Sequence, residues 1–285
     1  MTELKIIRTL DELRAVTNGW RRQGETVGLV PTMGALHDGH LSLVRNSKAQ
    51  NDRTVVSIFV NPKQFNQQSD LEAYPRDEAA DADKLRSVDV DVLWAPDADE
   101  MYPGGFATSV DVGGITDCLC GATRPGHFAG VAVVVTKLLL QSLPDRAYFG
   151  IKDFQQLQVV RRMVRDLDIP VAIRGIDTVR ERDGLAMSSR NWYLTEAERE
   201  VAPTLFRVLT DIAESAGTDG DVERAISRGR STLERKGFGQ VDYLEVRDAE
   251  TLELVRRPTR PARAFAAVFL GKARLIDNVP VDPAA

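Results

Sequence analysis

The chain has 285 residues, 43% of them hydrophobic and 28% charged, which allows one large or two modest globular domains with ample core. A net charge of −5 argues against a general nucleic-acid binder, although a few local cations would still suffice for small anionic ligands. No apolar run approaches the ~18 residues of a membrane span. The stretch VAVVVTKLLL (131–140) is too short and holds Lys137, so it is expected to be a buried helix. The opening MTELKIIRTLDELR shows no signal-peptide pattern, so the cytoplasm is the expected location. Cys118 and Cys120 are too close for an unstrained bridge and are expected to be inert.

Val27 to Val30 form a short apolar run that reads as a buried parallel strand, ended by Pro31. Gly34 then allows a tight turn, and Asp38 is expected to cap a helix beginning near Gly39 and running to residue 51. His37 and His40 lie three apart at that start, where unpaired N–H groups favour phosphate oxygens. Further strands are expected over 54–60, 88–95, 146–149 and 171–176, with helices over 77–87, 129–143 and 152–167. In the last helix Leu157, Val160, Val164 and Leu167 repeat near the helical period, leaving Arg161, Arg162 and Arg165 outward. This alternation predicts an α/β fold, a Rossmann-like doubly wound parallel sheet with ligands at the carboxyl ends of the strands. No G-x-G-x-x-G follows the first strand, which excludes the usual dinucleotide fingerprint.

From about Thr178 the pattern changes. Thr195-Glu-Ala-Glu opens a helix whose stripe is Val201, Leu205, Leu209, Ile212 and Ala216; GTDG (217–220) reads as a loop. A helix over 221–236, a break at GFG (237–239) and strands over 241–246 and 264–270 follow, with RRPTRP (256–261) as a loop and Pro283 onward as a frayed tail. The expected domains are 1–185 and 186–285, the second a smaller α+β domain.

Several side chains have the right chemistry for a phosphate site. Lys152 and Asp153 follow Gly150 where a strand meets a helix, placing a point charge beside helix N–H groups, and Gln156 lies one turn on. Ser188, Ser189 and Arg190 combine two hydroxyls with a permanent cation, suited to triphosphate oxygens. Gln64 and Gln156 carry amides that both donate and accept, suited to a hydroxy-acid. All three histidines, His37, His40 and His127, could alternatively make a three-His metal site as in a zinc hydrolase, but the H-E-x-x-H spacing is missing.

His37-Asp38-Gly39-His40 resembles the H-x-G-H motif of a nucleotidyltransferase superfamily. PTMGALHDGHLSLV (31–44), SIFVNPKQF (57–65), RPGHFAGV (124–131), FGIKDFQQL (149–157) and GLAMSSRN (184–191), in this order, resemble the pantoate–β-alanine ligase family. The resemblance covers most of the first two-thirds of the chain. It implies ATP-dependent joining of pantoate and β-alanine through an acyl adenylate, with His40 as the family's catalytic histidine. His37, Lys152, Ser188, Ser189 and Arg190 would complete the catalytic set. ATP would be held by Pro31, Thr32, Met33, Gly34, His37, Gly39, His40, Gly150, Lys152, Asp153, Val179, Met187, Ser188, Ser189 and Arg190. Gln64 and Gln156 would bind pantoate, with Asn61, Arg124 and His127 nearby. The resemblance also implies Mg²⁺ beside ATP, with Asp81 the best-matching ligand after Tyr74-Pro-Arg76, and Ala80 standing where some relatives are acidic. It implies a homodimer, with 1–185 binding ATP and pantoate and 186–285 closing over the ATP site; charge and hydropathy lead to the expectation of no nucleic-acid or membrane partner. Two other readings are a sister nucleotidyltransferase acting on another acid or phosphate and a non-catalytic nucleotide-binding subunit.

Overall fold

The computed structural model describes residues 4–218 and 221–283. The chain divides into two compact units, Met1–Ile151 with Gln156–Asp177, and Lys152–Gln155 with Thr178–Ala285. The main division falls ahead of the 185/186 boundary read from the sequence.

The first unit is built on six parallel strands: β1 (Lys5–Ile7), β2 (Val27–Thr32), β3 (Arg53–Ile58), β4 (Val92–Trp94), β5 (Arg146–Gly150) and β6 (Ala172–Ile176). Their order is β1-β4-β3-β2-β5-β6, so the chain winds outward from β2 in one direction and from β5 in the other. That reversal is the topological switch point at which open α/β sheets bind ligands. β2 pairs with β3 from Val27 to Thr32 but with β5 only at Gly28 and Leu29, so a crevice opens between the carboxyl ends of β2 and β5.

The inner strands β2 to β5 are mostly buried because helices cover both faces of the sheet. Helices Asp38–Gln50 and Glu78–Arg86 supply Leu41, Val44, Ala82 and Leu85 to one cluster with Val30, Val56, Leu93 and Tyr148. Leu29 and Val55, one residue along, point the other way and are buried too. Helices Leu10–Arg22 and His127–Ser142 pack on each other and on β2. The second of these contains VAVVVTKLLL and is largely buried, as expected. Each such buried aliphatic side chain is worth roughly 1.5–3 kcal/mol.

Several sequence expectations shift. Pro31 does not end β2, which continues to Thr32; a strand that has already left β5 tolerates a residue without an N–H. The strand expected over 88–95 shrinks to Val92–Trp94 because residues 87–89 form a turn, with Asp89 at φ +52°. Leu167 lies beyond the helix Phe154–Asp166 and is exposed, while Leu157, Val160 and Val164 are buried as read.

The second unit carries three antiparallel strands, β7 (Val241–Asp248), β8 (Ala262–Leu270) and β9 (Ala273–Val281), in that order. Helices Thr204–Thr218 and Val222–Arg235 share a core with them through Leu205, Val208, Leu209, Ile212 and Leu233 against Leu244, Val246, Ala266 and Val268. The single helix expected from Thr195 is two. Glu196–Val201 opens on a reciprocal Thr195–Glu198 cap, and Pro203, which has no N–H, separates it from Thr204–Thr218. Gly217 and Thr218, expected in a loop, end that helix; the rest of GTDG, and the tail beyond Pro283, lie outside the described residues. β9 escaped the sequence reading because Asp277, Asn278 and Pro280 interrupt its apolar run; it is an edge strand, where proline is tolerated. No helix among the described residues is long and apolar enough to cross a membrane.

Candidate active site

The carboxyl end of β2 leads into a turn held from below. Thr32 Oγ1 donates to the Ser57 carbonyl at 2.7 Å and accepts from Gly34 N–H at 3.2 Å. Gly34 and Ala35 both take left-handed φ, +82° and +50°, and the second is strained for a residue with a Cβ. A Cβ on Gly34 would stand 3.0 Å from Asp81 Oδ2, so space and φ both require glycine. The strain is held by a clamp on the next residue. Leu36 N–H donates to Asp81 Oδ1 at 2.8 Å, and Lys84 Nζ donates to the Leu36 carbonyl at 2.7 Å. The two clamping groups lie 3.5 Å apart, with Asp81 buried.

His37, not Asp38, is the N-cap of the helix Asp38–Gln50, and Asp38 is its first residue. His37 Nδ1 accepts from Gly39 N–H at 3.1 Å, and His40 Nδ1 accepts from His37 N–H at 3.3 Å. This is a capping box made of two imidazoles, their ring centres 4.1 Å apart. A backbone N–H can only donate, so both Nδ1 atoms are bare and each neutral ring carries its proton on Nε2. Two N–H donors thus stand at a helix N-terminus beside the switch point, an arrangement made for anionic oxygen.

A second cluster forms around the turn Pro62–Gln64, which Asn61 caps by accepting from Lys63 N–H at 3.3 Å. Asn61 Nδ2 donates to Gln64 Oε1 and to the Gly130 carbonyl, both at 3.0 Å. Gln64 Nε2 reaches Met33 Sδ at 3.1 Å, joining this cluster to the histidine turn. His127 Nδ1 lies 2.8 Å from the Gln64 carbonyl and Arg124 bridges His127 Nε2 and that same carbonyl, each at 3.3 Å. A carbonyl can only accept, so His127 carries its proton on Nδ1. The helix beginning at His127 comes so close that a Cβ on Gly130 would sit 2.1 Å from the Lys63 carbonyl oxygen, which explains the second glycine in RPGHFAGV. Tyr102, whose hydroxyl donates to Asn61 Oδ1 at 2.8 Å, was missed from the sequence. The phenol follows a short helix, Ala98–Met101, with no motif to mark it.

Gly150 is the last residue of β5, and Gln156 lies half-buried in the helix Phe154–Asp166. Lys152 and Asp153 belong to the second unit, in a 3₁₀ turn spanning Ile151–Asp153 rather than at the start of an α-helix. Asn278 Nδ2 donates to the Lys152 carbonyl at 2.9 Å, and Arg263 Nε donates to Asn278 Oδ1 at 2.6 Å. Phe154 anchors the segment, its ring 5.9 Å from Phe265 and 4.6 Å from the Arg263 guanidinium. Lys152 Nζ lies 3.7 Å from the Asp153 carboxylate.

Val179 and Met187 face each other across a short bridge, Met187 N–H donating to the Val179 carbonyl at 3.0 Å. Ser188 Oγ then caps the turn Ser189–Tyr193, accepting from Arg190 N–H at 3.2 Å. The stretch is anchored by Arg180, whose two nitrogens reach Asp277 at 2.7 and 3.0 Å and whose guanidinium lies 3.8 Å over Phe206. The Asp183 carboxyl, bonded to Arg199, is held below the usual carboxylate range.

Within the first unit the structure therefore gathers the histidine turn with Asp81, and Asn61, Gln64, Arg124 and His127 with Met33. Within the second it orders Lys152 and Asp153 on one segment and Val179 with Met187 to Arg190 on another. His127 keeps company with Arg124 and Gln64. Among the described residues no three His, Cys, Asp or Glu side chains are grouped to hold a metal ion, and no disulfide joins Cys118 to Cys120.

Comparison with known proteins covers nearly the whole chain. A family profile described as pantoate-beta-alanine ligase matches residues 5–280. Pantothenate synthetase of Paramagnetospirillum magneticum is 55% identical over 282 residues, covering 99% of both chains. That of Roseobacter denitrificans is 53% identical over 276 residues, covering 97% of both. Among solved structures, pantothenate synthetase from Thermus thermophilus superposes with a TM-score of 0.92 at 49% identity, covering 98% of this chain and 100% of its own. Pantoate-beta-alanine ligase from Francisella tularensis, complexed with beta-gamma ATP and beta-alanine, gives 0.82 at 35% identity and 97% coverage of each.

Proposed function

This chain belongs to the pantoate-beta-alanine ligase family, an ATP-dependent enzyme forming pantothenate from pantoate and β-alanine, and we propose from that premise how its own residues do the work. The reaction runs in two steps. A pantoate carboxylate oxygen attacks the α-phosphorus of ATP, the bond to the β-phosphate breaks, and pantoyl adenylate and pyrophosphate form. The β-alanine amine then attacks the acyl carbon, loses a proton, and expels AMP as pantothenate forms.

Such chemistry needs positioning and charge stabilisation more than a protein nucleophile. One observation carries the assignment: the reciprocal histidine cap, which leaves the proton of each neutral ring on Nε2 at a helix N-terminus. His37 and His40 donate to phosphate oxygens, His40 stabilising the charge that grows as pyrophosphate departs. Pro31, Thr32, Met33, Gly34, Gly39, Gly150, Asp153, Val179 and Met187 line the nucleotide. Lys152, Ser188, Ser189 and Arg190 act on the same triphosphate, one as a point charge and the others through hydroxyl and guanidinium donors. Gln64 and Gln156 hold pantoate, supported by Asn61, Arg124 and His127.

Mg²⁺ enters with ATP as part of the substrate. It takes octahedral oxygen, largely phosphate and water, so one carboxylate is enough from the protein. Asp81 already holds Leu36 and Lys84 through Oδ1, which leaves Oδ2, on the Gly34 side, to contribute. The ion offsets charge on the departing pyrophosphate. The family resemblance further supports a homodimer, which sedimentation of the purified protein checks, and a cytoplasmic location, which cell fractionation checks.

The test is AMP release with pantoate, β-alanine or both omitted, using pantoate labelled with ¹⁸O in its carboxylate. AMP carrying one ¹⁸O, formed only with both acids present, is the expected result. Unlabelled AMP would end the adenylate route, and turnover without either acid would end the ligase reading.

A further inference from the structure

Asn61 has two backbone neighbours that leave its amide no choice of orientation. Lys63 N–H can only donate, so it takes Asn61 Oδ1; the Gly130 carbonyl can only accept, so it takes Nδ2. The remaining hydrogen on Nδ2 then goes to Gln64, whose Oε1 must be the atom facing Asn61. Gln64 is buried, and the group it has left is its NH₂. That NH₂ is spent on a thioether sulfur, Met33 Sδ, a weak acceptor that a ligand oxygen would outcompete.

Tyr102 completes the chain of constraints. Its hydroxyl meets Asn61 Oδ1 at 2.8 Å, an atom that can only accept, so the phenol is the donor. Burial pushes the phenol pKa up, which keeps that proton in place at any working pH. The ring is held at its edges by Phe59 at 6.0 Å and Phe106 at 5.0 Å, with the Lys63 ammonium 5.0 Å from its centre. The hydroxyl has a fixed address.

We propose that Tyr102 is a positioning residue for pantoate, acting through Asn61 so that Gln64 meets its substrate by the NH₂ alone and selects an oxygen acceptor there. The inference rests on Gln64 as a pantoate residue. Without the Tyr102 proton Asn61 keeps its orientation through its backbone partners but loses its tightest contact, so the carboxamide that seats Gln64 Oε1 is held less firmly. The consequence falls on the acid, not on the nucleotide.

The test is steady-state AMP release by the full-length enzyme carrying Tyr102→Phe, Gln64→Ala, or both. For Tyr102→Phe the pantoate KM should rise about tenfold, the size of one lost buried hydrogen bond, with kcat and ATP KM within about threefold and an unchanged melting curve. Adding Tyr102→Phe to Gln64→Ala should raise the pantoate KM no further, since both act on one contact. A pantoate KM unmoved in Tyr102→Phe, or a full additional rise in the double variant, overturns the relay. A drop in melting temperature with kcat and both KM values changed together marks a merely structural phenol and also overturns it. If Gln64→Ala alone leaves the pantoate KM unchanged, the underlying assignment of Gln64 fails instead.

Discussion

His40 and His127 are the same side chain in opposite tautomers. At the start of the helix Asp38–Gln50, backbone N–H groups take Nδ1 of His37 and His40, so the proton sits on Nε2. At the start of the helix His127–Ser142, the Gln64 carbonyl takes Nδ1–H of His127, so Nε2 is the bare atom, turned to Arg124. One helix start thus offers N–H donors to anionic oxygen, and the other uses its imidazole to fasten a neighbouring turn. The main chain decides which, and nitrogen-resolved NMR of the histidine rings reads it directly: Nε2–H for residues 37 and 40, Nδ1–H for 127.

Variants sharpen the contrast. His40→Ala removes the donor proposed to act on the transition state, so adenylation should fall about 10²–10³-fold, measured as AMP release. Its melting temperature should barely move, since a lost cap is worth only about 1 kcal/mol. Lys152→Ala, which removes a point charge with no tautomer to set, should cost about 10²-fold or more in the same assay. A variant within a few-fold of wild type would remove Lys152 from the catalytic set. His37→Asn separates capping from donation, because asparagine is as good an N-cap. Stability should hold within about 0.5 kcal/mol by denaturant titration while AMP release drops about tenfold. On the other side of the contrast, Gly130→Ala drives a Cβ into the Lys63 carbonyl and should cost about 1–3 kcal/mol of stability. Since the Asn61–Gln64 turn must give way, pantoate KM should rise several-fold with ATP KM unchanged.

The parallel sheet was legible because β2, β3 and β5 are largely buried and read as short runs rich in apolar and β-branched residues. β1 and β9 were not, since three residues of Lys5–Ile7 carry no period and Asp277-Asn278 splits an edge strand. The helix Leu10–Arg22 was also missed: mostly polar, it buries little beyond Leu13 and Thr17. The motif residues themselves were legible by type, but their partners were not. Asp38 looked the better cap because aspartate is the commoner one, and only coordinates reveal that two histidines cap each other. Asp81 read as a metal ligand from its place after Tyr74-Pro-Arg76, with nothing nearby to suggest that it grips the Leu36 amide 45 residues earlier. Tyr102 had no motif at all; its importance lies in a contact made across 41 residues.

The assignment of Lys152–Gln155 to the second unit has a consequence for recombination among relatives. A hybrid gene joined once, near Thr178, would inherit Phe154 from one parent and its partners Arg263 and Phe265 from the other. The same seam would part the Lys152 carbonyl from the Asn278 amide that donates to it. Swapping these units as modules therefore requires carrying a four-residue island along with the C-terminal cassette.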